Sequence, residues 1–548
     1  MLSLTLAQIN PTLGDVAGNS RIIFDVWQNL EQDGEVLATS QAALCVFPEL
    51  ALTGYPPEDL ILNANFINKI EADVESLCQK SKSFMTAALI TCPWRIDGHV
   101  YNAALLIYDG VIQSVTAKHH LPNYGVFDEK RVFKAGPLPN VIDFKGVKLG
   151  VMICEDMWHS DVALHLKNQG ADILIVPNGS PWRIGKEAVR FDHAYKRVQE
   201  TGLALVYINQ VGGQDELIFD GGSFVMNPDG RIASANAPFF ESFDIFDFIK
   251  NDDDILTLKG KTSSPPETTD HQSMSHLYDA LVLGLKNYVI KNGFSQVVLG
   301  LSGGIDSALC AAIAVDALGK ENVRCVMLPS PFTSQDSLDD AKTCANALGA
   351  SYEIFEIHDA MKAFEGIIPD LDGIAHENMQ SRCRGVILMA LSNQSGAMLL
   401  TTGNKSEMAV GYATLYGDMN GGFNPLKDVY KMQVYALAEA RNTLYGDVIP
   451  DRILTKAPSA ELREDQTDQD SLPEYDVLDD ILKGLIENED SLEDIAARGH
   501  DLETIKKIAH LLRINEYKRY QAPPGTKVTT RAFGRDRRYP MTNKYRFD

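Results

Sequence analysis

Three reactive side chains in the amino-terminal half of the chain each follow a short apolar run that is typical of a β-strand. They are Glu49, Lys118 and Cys154. Because α/β folds place their sites at the carboxyl ends of strands, we expect the three to lie near one another. A thiol is a weak nucleophile until a base removes its proton, and an ammonium stabilises both the thiolate and the oxyanion that forms when an amide carbonyl is attacked. The pattern predicts Glu49 as the base, Lys118 as the electrostatic partner and Cys154 as the nucleophile.

A glycine-rich loop, Gly300-Leu-Ser-Gly-Gly-Ile-Asp-Ser307, stands between an apolar run and an Ala-rich helical segment. Small residues let backbone N–H groups approach an anion closely, Ser302 and Ser307 add hydroxyl donors, and the start of the helix contributes partial positive charge. The loop therefore predicts a phosphate site. Asp306 occupies the position at which a Walker sequence has Lys, and a carboxylate there is expected to act through Mg²⁺.

Alternating strand and helix patterns must position these residues. Residues 1–250 predict one α/β domain, residues 251–273 have the composition of a solvated connector, and residues 274–548 predict a second α/β domain. The strands of the second domain are expected to be parallel because helices separate them. The predicted strands are 2–9, 43–47, 85–91, 112–117, 147–153, 172–176, 204–208, 296–300, 322–327 and 352–356, and the predicted helices are 17–32, 64–80, 186–201, 274–291, 306–319 and 335–348.

Composition limits the classes of protein to which the chain can belong. Its 548 residues exceed a single small module, and 45% hydrophobic with 23% charged residues is a globular balance. A net charge of -24 opposes binding to nucleic acid and to anionic membranes, so we expect neither partner. The eight cysteines form no Cys-x-x-Cys pair, which favours a reducing compartment, and we expect neither a leader nor a membrane-spanning segment. A cytoplasmic protein is expected.

Three motifs around the reactive residues resemble the signatures of the nitrilase superfamily of carbon-nitrogen hydrolases. They are Phe47-Pro-Glu-Leu-Ala-Leu-Thr-Gly-Tyr55, Lys118-His-His-Leu-Pro-Asn-Tyr-Gly-Val-Phe-Asp-Glu-Lys-Arg-Val-Phe133 and Ile153-Cys-Glu-Asp-Met-Trp158. The resemblance implies a four-layer αββα sandwich and amide hydrolysis through a thioester, with glutamine as substrate where a ligase shares the chain. It further implies that Tyr124, Ser180 and Lys186 bind glutamine. A competing papain-type pairing would use His119 or His120 as the base for a cysteine.

The loop sequence Ser-Gly-Gly-Ile-Asp-Ser resembles the signature of the ATP pyrophosphatases, which transfer adenylate to a substrate and release pyrophosphate. This resemblance implies a doubly wound parallel-sheet domain of the adenine nucleotide alpha hydrolase-like type. It implies that ATP, as a substrate, contacts the whole loop, namely Gly300, Leu301, Ser302, Gly303, Gly304, Ile305, Asp306 and Ser307. A carboxylate would then become a mixed anhydride, and ammonia would displace AMP from it.

The stretches Glu377-Asn-Met-Gln-Ser-Arg-Cys-Arg384 and Thr401 to Asp418 are similar to the pattern of NAD⁺ synthetases. With the amidase motifs, they resemble the glutamine-dependent members, which amidate nicotinic acid adenine dinucleotide (deamido-NAD⁺). The resemblance implies Mg²⁺ at Asp306 and Glu407, a channel that carries ammonia, and a homo-oligomer. It assigns further ATP contacts to Thr402, Lys431 and Ser459, and deamido-NAD⁺ contacts to Asn378, Arg382, Glu407, Asp418 and Lys518.

Two anionic substrates require cations, which we expect from Arg382, Arg384, Lys405 and Lys431. The basic tail after Arg513 carries aromatic residues that a nucleic-acid site would also use, but the total charge favours a role in closing over the dinucleotide or in a surface contact. The acidic segment 461–503 has apolar residues at helical spacing and predicts a solvated helical face.

Two other functions are compatible with these motifs. One is the same amidase fused to an adenylating ligase for another carboxylate. The other is an adenine-nucleotide sensor that keeps both folds without turnover, and it would bind ATP without releasing pyrophosphate.

Overall fold

The computed structural model describes residues 1–40, 42–259, 270–464 and 466–545. The chain forms two compact units, one of Met1–Gln214 with Ile218–Glu267 and the other of Asp215–Leu217 with Thr268–Asp548. Within the predicted connector 251–273, residues 260–269 lie outside the described residues. Among the described residues, no helix combines the length and the apolar composition that a membrane crossing requires.

The amino-terminal unit is built mainly from strands. They are β1 (Leu2–Gln8), β2 (Ala42–Val46), β3 (Ala87–Ile96), β4 (His99–Tyr108), β5 (Val111–Ala117), β6 (Ile142–Phe144), β7 (Val147–Val151), β8 (Ile173–Asn178), β9 (Ala204–Asn209), β10 (Val211–Gln214), β11 (Leu217–Asp220), β12 (Phe224–Met226), β13 (Ile232–Ala235), β14 (Ser242–Lys250) and β15 (Leu256–Leu258). The helices are α1 (Val16–Gln32), α2 (Gly34–Thr39), α3 (Ala64–Lys80), α4 (Ser160–Asn168) and α5 (Lys186–Thr201). Short 3₁₀ turns occur at Glu58–Leu62, Glu129–Arg131 and Cys154–Trp158.

Two sheets of this unit pack face to face. Their strand orders are β15-β14-β1-β2-β3-β4-β5 and β13-β12-β9-β8-β7-β6, and β10 pairs with β11 in a separate hairpin. Alternate residues of β1 such as Leu4 enter the core between the sheets, where they meet Leu149 and Ile175, because successive side chains point to opposite faces of a strand. Helices α1 and α3 pack on the outside of the first sheet, and α4 and α5 cover the second. The predicted αββα sandwich is confirmed.

The second unit has a sheet of β16 (Val297–Gly300), β17 (Val323–Met327), β18 (Ser351–Ile354) and β19 (Met398–Leu400). Its helices are α6 (Asp270–Lys291), α7 (Ile305–Leu318), α8 (Gln335–Leu348), α9 (His358–Ile367), α10 (Gly373–Ser395), α11 (Lys405–Val410), α12 (Lys431–Tyr445), α13 (Asp451–Thr455), α14 (Tyr475–Lys483), α15 (Leu492–Ala496), α16 (Leu502–Ile514) and α17 (Glu516–Arg519). Shorter turns lie at Lys320–Asn322, Asp468–Asp470 and Gly484–Asn488.

The sheet of the second unit is wholly parallel, in the order β18-β17-β16-β19, as the sequence predicts. Helices α9 and α10 pack on one face, and α7 and α8 lie on the other, so the sheet is doubly wound. The chain runs from β16 to β17 on one side, whereas β19 joins β16 on the other. This reversal opens a crevice at the carboxyl end of β16, where ligands bind in open α/β sheets. The loop Gly300–Ser307 begins there.

The acidic segment 461–503 contributes to a helical subdomain of the second unit. The predicted helix is present as α14, which continues into the turn Gly484–Asn488. Its apolar residues are not at the surface, because they pack against α11 and α16; they are Leu478, Ile481, Leu482 and Leu485. Two acidic residues of the segment, Asp468 and Asp479, are themselves buried, so the segment is not solvated throughout.

The basic tail is largely neutralised inside the second unit. Arg519 and Arg537 both pair with Glu516, and Lys527 lies 3.0 Å from Asp536. The Arg537 guanidinium also stacks 4.0 Å from the centre of the Tyr539 ring. These contacts explain the alternation of basic and aromatic residues as internal ion pairs and cation–π packing.

Candidate active sites

The amidase candidates of the amino-terminal unit lie at strand ends. Glu49 follows β2, Lys118 follows β5 directly, and Cys154 opens the 3₁₀ turn after β7. All three side chains are buried, and Lys118 and Glu49 are wholly shielded from solvent. Lys118 Nζ lies 2.6 Å from Glu49 Oε1. The fold thus brings together a base and an ammonium that are 69 residues apart in the chain.

Glu49 is held by further hydrogen bonds. Asn102 Nδ2, from β4, donates to Oε1 at 2.7 Å, and the Gly179 N–H donates to Oε2 at 2.8 Å. Donors on both oxygens fix the orientation of the carboxylate. Asn102 and Gly179 were not identified from the sequence, since neither residue type signals a catalytic site by itself.

A second glutamate, Glu129, belongs to the same buried cluster and was also missed from the sequence. Its Oε1 lies 2.9 Å from Lys118 Nζ and accepts a hydrogen bond of 2.8 Å from the Tyr55 hydroxyl. Burial raises the pKa of Glu129 to about 7, against the attraction of Lys118 and together with repulsion from Glu49. Burial alone would lower the pKa of Lys118, but the two carboxylates hold it well above its usual value. Lys118 therefore stays an ammonium.

Cys154 has an unusual backbone conformation, with φ of +49°. Such a conformation costs a non-glycine residue on the order of 1 kcal/mol or more and is frequent at functional sites. The turn is stabilised by Asp156, whose Oδ2 accepts a 3.0 Å hydrogen bond from the Ile153 N–H. Burial, then repulsion from Glu49, raises the pKa of the Cys154 thiol well above its usual value. The thiol is protonated at rest, so nucleophilic attack requires a base.

The three residues predicted to bind glutamine differ in their surroundings. Tyr124 is half exposed, and its hydroxyl donates to Glu155 Oε2 at 2.9 Å. Ser180 is buried, and its carbonyl accepts a 2.7 Å hydrogen bond from Arg190 Nη2. Lys186 Nζ lies 4.1 Å from the centre of the Trp158 ring. Burial, followed by repulsion from Arg190, lowers the pKa of Lys186 to about 8. Tyr124 and Lys186 both interact electrostatically with Cys154.

The papain-type alternative is not supported by the geometry. His119 Nδ1 lies 2.7 Å from the Gly136 carbonyl oxygen, and His120 Nε2 lies 3.0 Å from each carboxylate oxygen of Asp161. Both imidazoles thus have partners other than Cys154 in the described part of the chain.

The glycine loop of the second unit is closed by its two serines. The Ser302 N–H donates to Ser307 Oγ at 3.1 Å, and Ser307 Oγ donates to the Gly304 carbonyl at 2.9 Å. Gly303 has φ of +83°, and a Cβ there would lie 2.4 Å from the Ser337 carbonyl oxygen. Only glycine fits this position. The loop leads into α7, whose amino terminus favours an anion.

Asp306 and Glu407 are brought together by one lysine. Lys431 Nζ lies 2.5 Å from Asp306 Oδ2 and 3.3 Å from Glu407 Oε1, and Asn404 Nδ2 donates to Asp306 Oδ1 at 2.8 Å. Burial raises the pKa of Glu407 to about 8 despite Lys431, and Asp306 acts in the same direction. Two carboxylates that gather round a cation offer the hard oxygen ligands that Mg²⁺ takes. The donor set fits the predicted ion.

A cleft of about 310 Å³ extends from this point. It is lined by the whole loop and by most of the residues predicted around it, namely Thr402, Glu407, Asp418, Lys431 and Ser459. Three predicted dinucleotide contacts lie instead against the segment 411–416. Asn378 Oδ1 accepts a hydrogen bond from Thr414, Arg382 donates to the Leu415 carbonyl, and Lys518 Nζ donates to the Gly411 and Ala413 carbonyls.

The basic side chains that line this cleft differ from those predicted from the sequence. Lys405 is not among them, because it is wholly buried, 2.8 Å from Asp428 and 3.1 Å from Glu487; its prediction as a substrate-facing cation is wrong. Lys456 lines the cleft and was missed, since a single lysine in an irregular segment gives no signal in the sequence. Arg384 lines it as predicted.

Comparisons with known proteins assign a family to each half of the chain. Residues 3–243 match the carbon-nitrogen hydrolase family model, and residues 277–522 match the NAD synthase model. The chain is 48% identical over 556 residues to the glutamine-dependent NAD(+) synthetase of Rhodobacter capsulatus, covering 99% of this chain and 98% of that protein.

Two solved structures match over the same extent. A glutamine-dependent NAD+ synthetase from Acinetobacter baumannii, in complex with adenosine diphosphate, is 41% identical with a TM-score of 0.76, covering 99% of this chain and 98% of that one. The enzyme of the same name from Cytophaga hutchinsonii has a TM-score of 0.82, covering 99% of this chain and 98% of that one, and at 22% identity it shows likeness of fold alone. On its sequence identity over the full length, this chain belongs to the glutamine-dependent NAD(+) synthetase family.

Proposed function

We propose that the chain converts deamido-NAD⁺ to NAD⁺, using ATP to activate the carboxylate and ammonia from glutamine to form the amide. The products would be NAD⁺, glutamate, AMP and pyrophosphate. One observation carries the proposal: a buried Glu49–Lys118–Cys154 cluster in one unit and a phosphate loop with paired carboxylates in the other occur in a single chain. The adenosine diphosphate bound to the relative from Acinetobacter baumannii supports ATP as a substrate.

In the amidase unit, Glu49 takes the thiol proton of Cys154 as Sγ attacks the amide carbon of glutamine. The Lys118 ammonium stabilises the negative charge that develops on the amide oxygen. Glu49 then returns the proton to the leaving nitrogen, ammonia departs, and a thioester remains. Water, with Glu49 again accepting a proton, hydrolyses the thioester to glutamate and restores the thiol. Tyr124, Ser180 and Lys186 are proposed to hold the α-amino and α-carboxylate groups.

In the second unit, the loop N–H groups and the Ser302 and Ser307 hydroxyls hold the phosphates of ATP. The substrate carboxylate displaces pyrophosphate from the α-phosphorus, and ammonia then displaces AMP from the resulting mixed anhydride. Asp306 and Glu407 would hold Mg²⁺, which when bound neutralises phosphate charge. Lys431 and Lys456 would add further positive charge. Transfer of ammonia between the two reactions and the homo-oligomeric state stay predictions.

Product analysis tests the proposal. The enzyme is incubated with glutamine, Mg-ATP and deamido-NAD⁺, and nucleotides and phosphate are quantified. We expect NAD⁺, AMP and pyrophosphate in equal amounts, whereas ADP with orthophosphate would contradict the adenylation step. Other carboxylates in place of deamido-NAD⁺ should release no AMP, and Asp306→Asn should suppress synthesis with glutamine and with ammonium alike. Asp336→Asn, which removes an exposed carboxylate paired with Arg452, is the matched control.

A further inference from the structure

A cluster of imidazoles and a carboxylate in the amino-terminal unit takes no part in the proposed amidase chemistry. One possible ligand atom from each of His119, His120 and Asp161 lies within 4.8 Å of the others. Both histidines line a cleft of about 640 Å³ whose walls also carry Tyr124 and Glu155. The cluster is partly open to solvent, so an ion could reach it from the cleft.

The local structure orients this cluster in advance. The backbone N–H groups of His119 and His120 donate to Asp156 Oδ1 at 3.1 and 2.7 Å, so both imidazoles project from one fixed turn. The Gly136 carbonyl lies 2.7 Å from His119 Nδ1 and can only accept a hydrogen bond, so Nδ1 is the nitrogen that carries the hydrogen. That tautomer leaves the Nε2 lone pair of His119 free for a metal, as second-shell carbonyls do in metal sites. His120 Nε2 and the Asp161 carboxylate already face each other at 3.0 Å.

We propose that His119, His120 and Asp161 bind a divalent transition-metal ion of the Zn²⁺ class. Two imidazole nitrogens and one carboxylate are a ligand set for such ions, with ligand distances of about 2.0–2.2 Å and a fourth position for water. The 3.0 Å between His120 Nε2 and the Asp161 carboxylate is already no wider than the spacing of two ligands on one ion, so binding brings the His119 ring toward this pair. Mg²⁺ does not compete well, because it prefers oxygen ligands and resists dehydration.

The position of the site connects it to glutamine use, and this step rests on the proposed function of the amidase unit. The His120 ring stacks on the His159 ring with centres 3.9 Å apart, and His159 Nε2 lies 3.6 Å from Glu155 Oε1. The other oxygen of Glu155 accepts the Tyr124 hydroxyl. An ion that enters between His120 Nε2 and the Asp161 carboxylate, which are 3.0 Å apart, displaces the His120 ring, disturbs this stack and occupies part of the cleft wall. Metal binding therefore lowers the rate with glutamine and leaves the rate with ammonium unchanged.

Binding is tested by titrating the metal-free full-length protein with Co²⁺ and recording visible absorption and stoichiometry. The Cys154→Ala protein serves as the host, since it removes the thiol as a possible ligand. We expect one high-affinity ion per chain, and at least about tenfold weaker binding once His120→Gln and Asp161→Asn are added, because losing even a second-shell partner costs that much. His99→Gln, a change at an exposed histidine outside the cluster, is the control and should bind as the host does. Unchanged affinity in the double variant overturns the site.

The functional consequence is tested with buffered Zn²⁺ in the chain that keeps Cys154. Rates with glutamine and with ammonium are compared in the presence of Mg²⁺ for the wild type and for His120→Gln/Asp161→Asn, each against its own rate without Zn²⁺. Selective loss of the glutamine rate in the wild type, relieved in the variant, supports the proposal. Equal inhibition in the variant would place the inhibiting ion on Cys154 and overturn it. Absence of glutamine use in the wild type with Mg²⁺ present and Zn²⁺ absent would contradict the proposed function, while the Co²⁺ titration still decides the metal site.

Discussion

The Lys118 ammonium lies 2.6 Å from Glu49 Oε1 and 2.9 Å from Glu129 Oε1, and all three side chains are buried. One ammonium therefore forms ion pairs with two carboxylates. With both carboxylates ionised the trio carries a net charge of minus one, which opposes a further negative charge on the Cys154 sulfur. The repulsion from Glu49 and Glu129 accordingly adds to burial in raising the pKa of that thiol. Lys118 thus sets the electrostatics of the whole amidase site.

Replacing Lys118 by Met should affect stability and chemistry together. The change leaves two buried carboxylates without their cation, so we expect the free energy of unfolding to fall by about 3–5 kcal/mol. Synthesis with glutamine should be lost. Synthesis with ammonium should persist under conditions in which the variant is folded, because the second unit is not changed.

The matched control for Lys118 is Lys196→Met. Lys196 pairs with Asp192 at 2.7 Å, but both side chains are more than half exposed. Such surface pairs contribute about 0–1 kcal/mol. Chemical denaturation of both variants measures the difference, and equal losses of stability would show that the buried trio is not stabilised by its ammonium.

Cys154→Ala should separate the two nitrogen sources. Without the thiol no thioester forms, so NAD⁺ synthesis with glutamine should fall to background while synthesis with ammonium stays near wild type. Cys92→Ala alters another buried thiol, in β3, whose electrostatic neighbour is Glu71 rather than Glu49, and should keep glutamine use. Loss of both activities in Cys154→Ala, with the fold intact by circular dichroism, would refute the division of labour.

The depressed pKa of Lys186 predicts a pH dependence for glutamine binding. Burial, then repulsion from Arg190, lowers this pKa to about 8, so the charged form that would pair with the α-carboxylate is lost as the pH rises above about 8. The KM for glutamine should therefore increase by up to about tenfold between pH 7 and 9, because the charged fraction of Lys186 falls by that factor across its pKa. Lys186→Arg should flatten this rise because arginine stays charged. Parallel profiles for both proteins would remove Lys186 from glutamine binding.

Gly303→Ala should destabilise the phosphate loop by more than the cost of the left-handed backbone conformation alone. Gly293 has nearly the same φ, +82° against +83° for Gly303, but a Cβ at Gly293 meets nothing within 4 Å. Gly293→Ala thus measures the left-handed backbone penalty, about 1–2 kcal/mol. Gly303→Ala adds the overlap with the Ser337 carbonyl, about 1–3 kcal/mol more, and should also weaken ATP binding. Denaturation and calorimetric titration with ATP test this, and equal effects of the two changes would contradict it.

Local patterns in the sequence were sufficient for much of the fold. The runs at β1, β7 and β16 have the composition and length of buried strands, and the period of α1 is helical, so their existence follows from the chain alone. Strand β4 was not predicted. It lies between β3 and β5 in an antiparallel meander, and its pairing register, which no local pattern encodes, decides its place.

The residues of the candidate sites also fall into two groups, those that the sequence indicates and those whose role depends on the fold. The sequence by itself was enough to predict Cys154 as the nucleophile, Glu49 and Lys118 as its partners and a phosphate loop at Gly300–Ser307, because each prediction depends on residue type and on the strand that precedes it. Tertiary structure decided that Glu129 shares the ammonium of Lys118 and that Lys405 is buried against Asp428 rather than facing substrate. The physical reason is that a charged side chain's role depends on its neighbours and its exposure. Residues that are far apart in the chain provide these neighbours and set this exposure, and only folding brings such residues together.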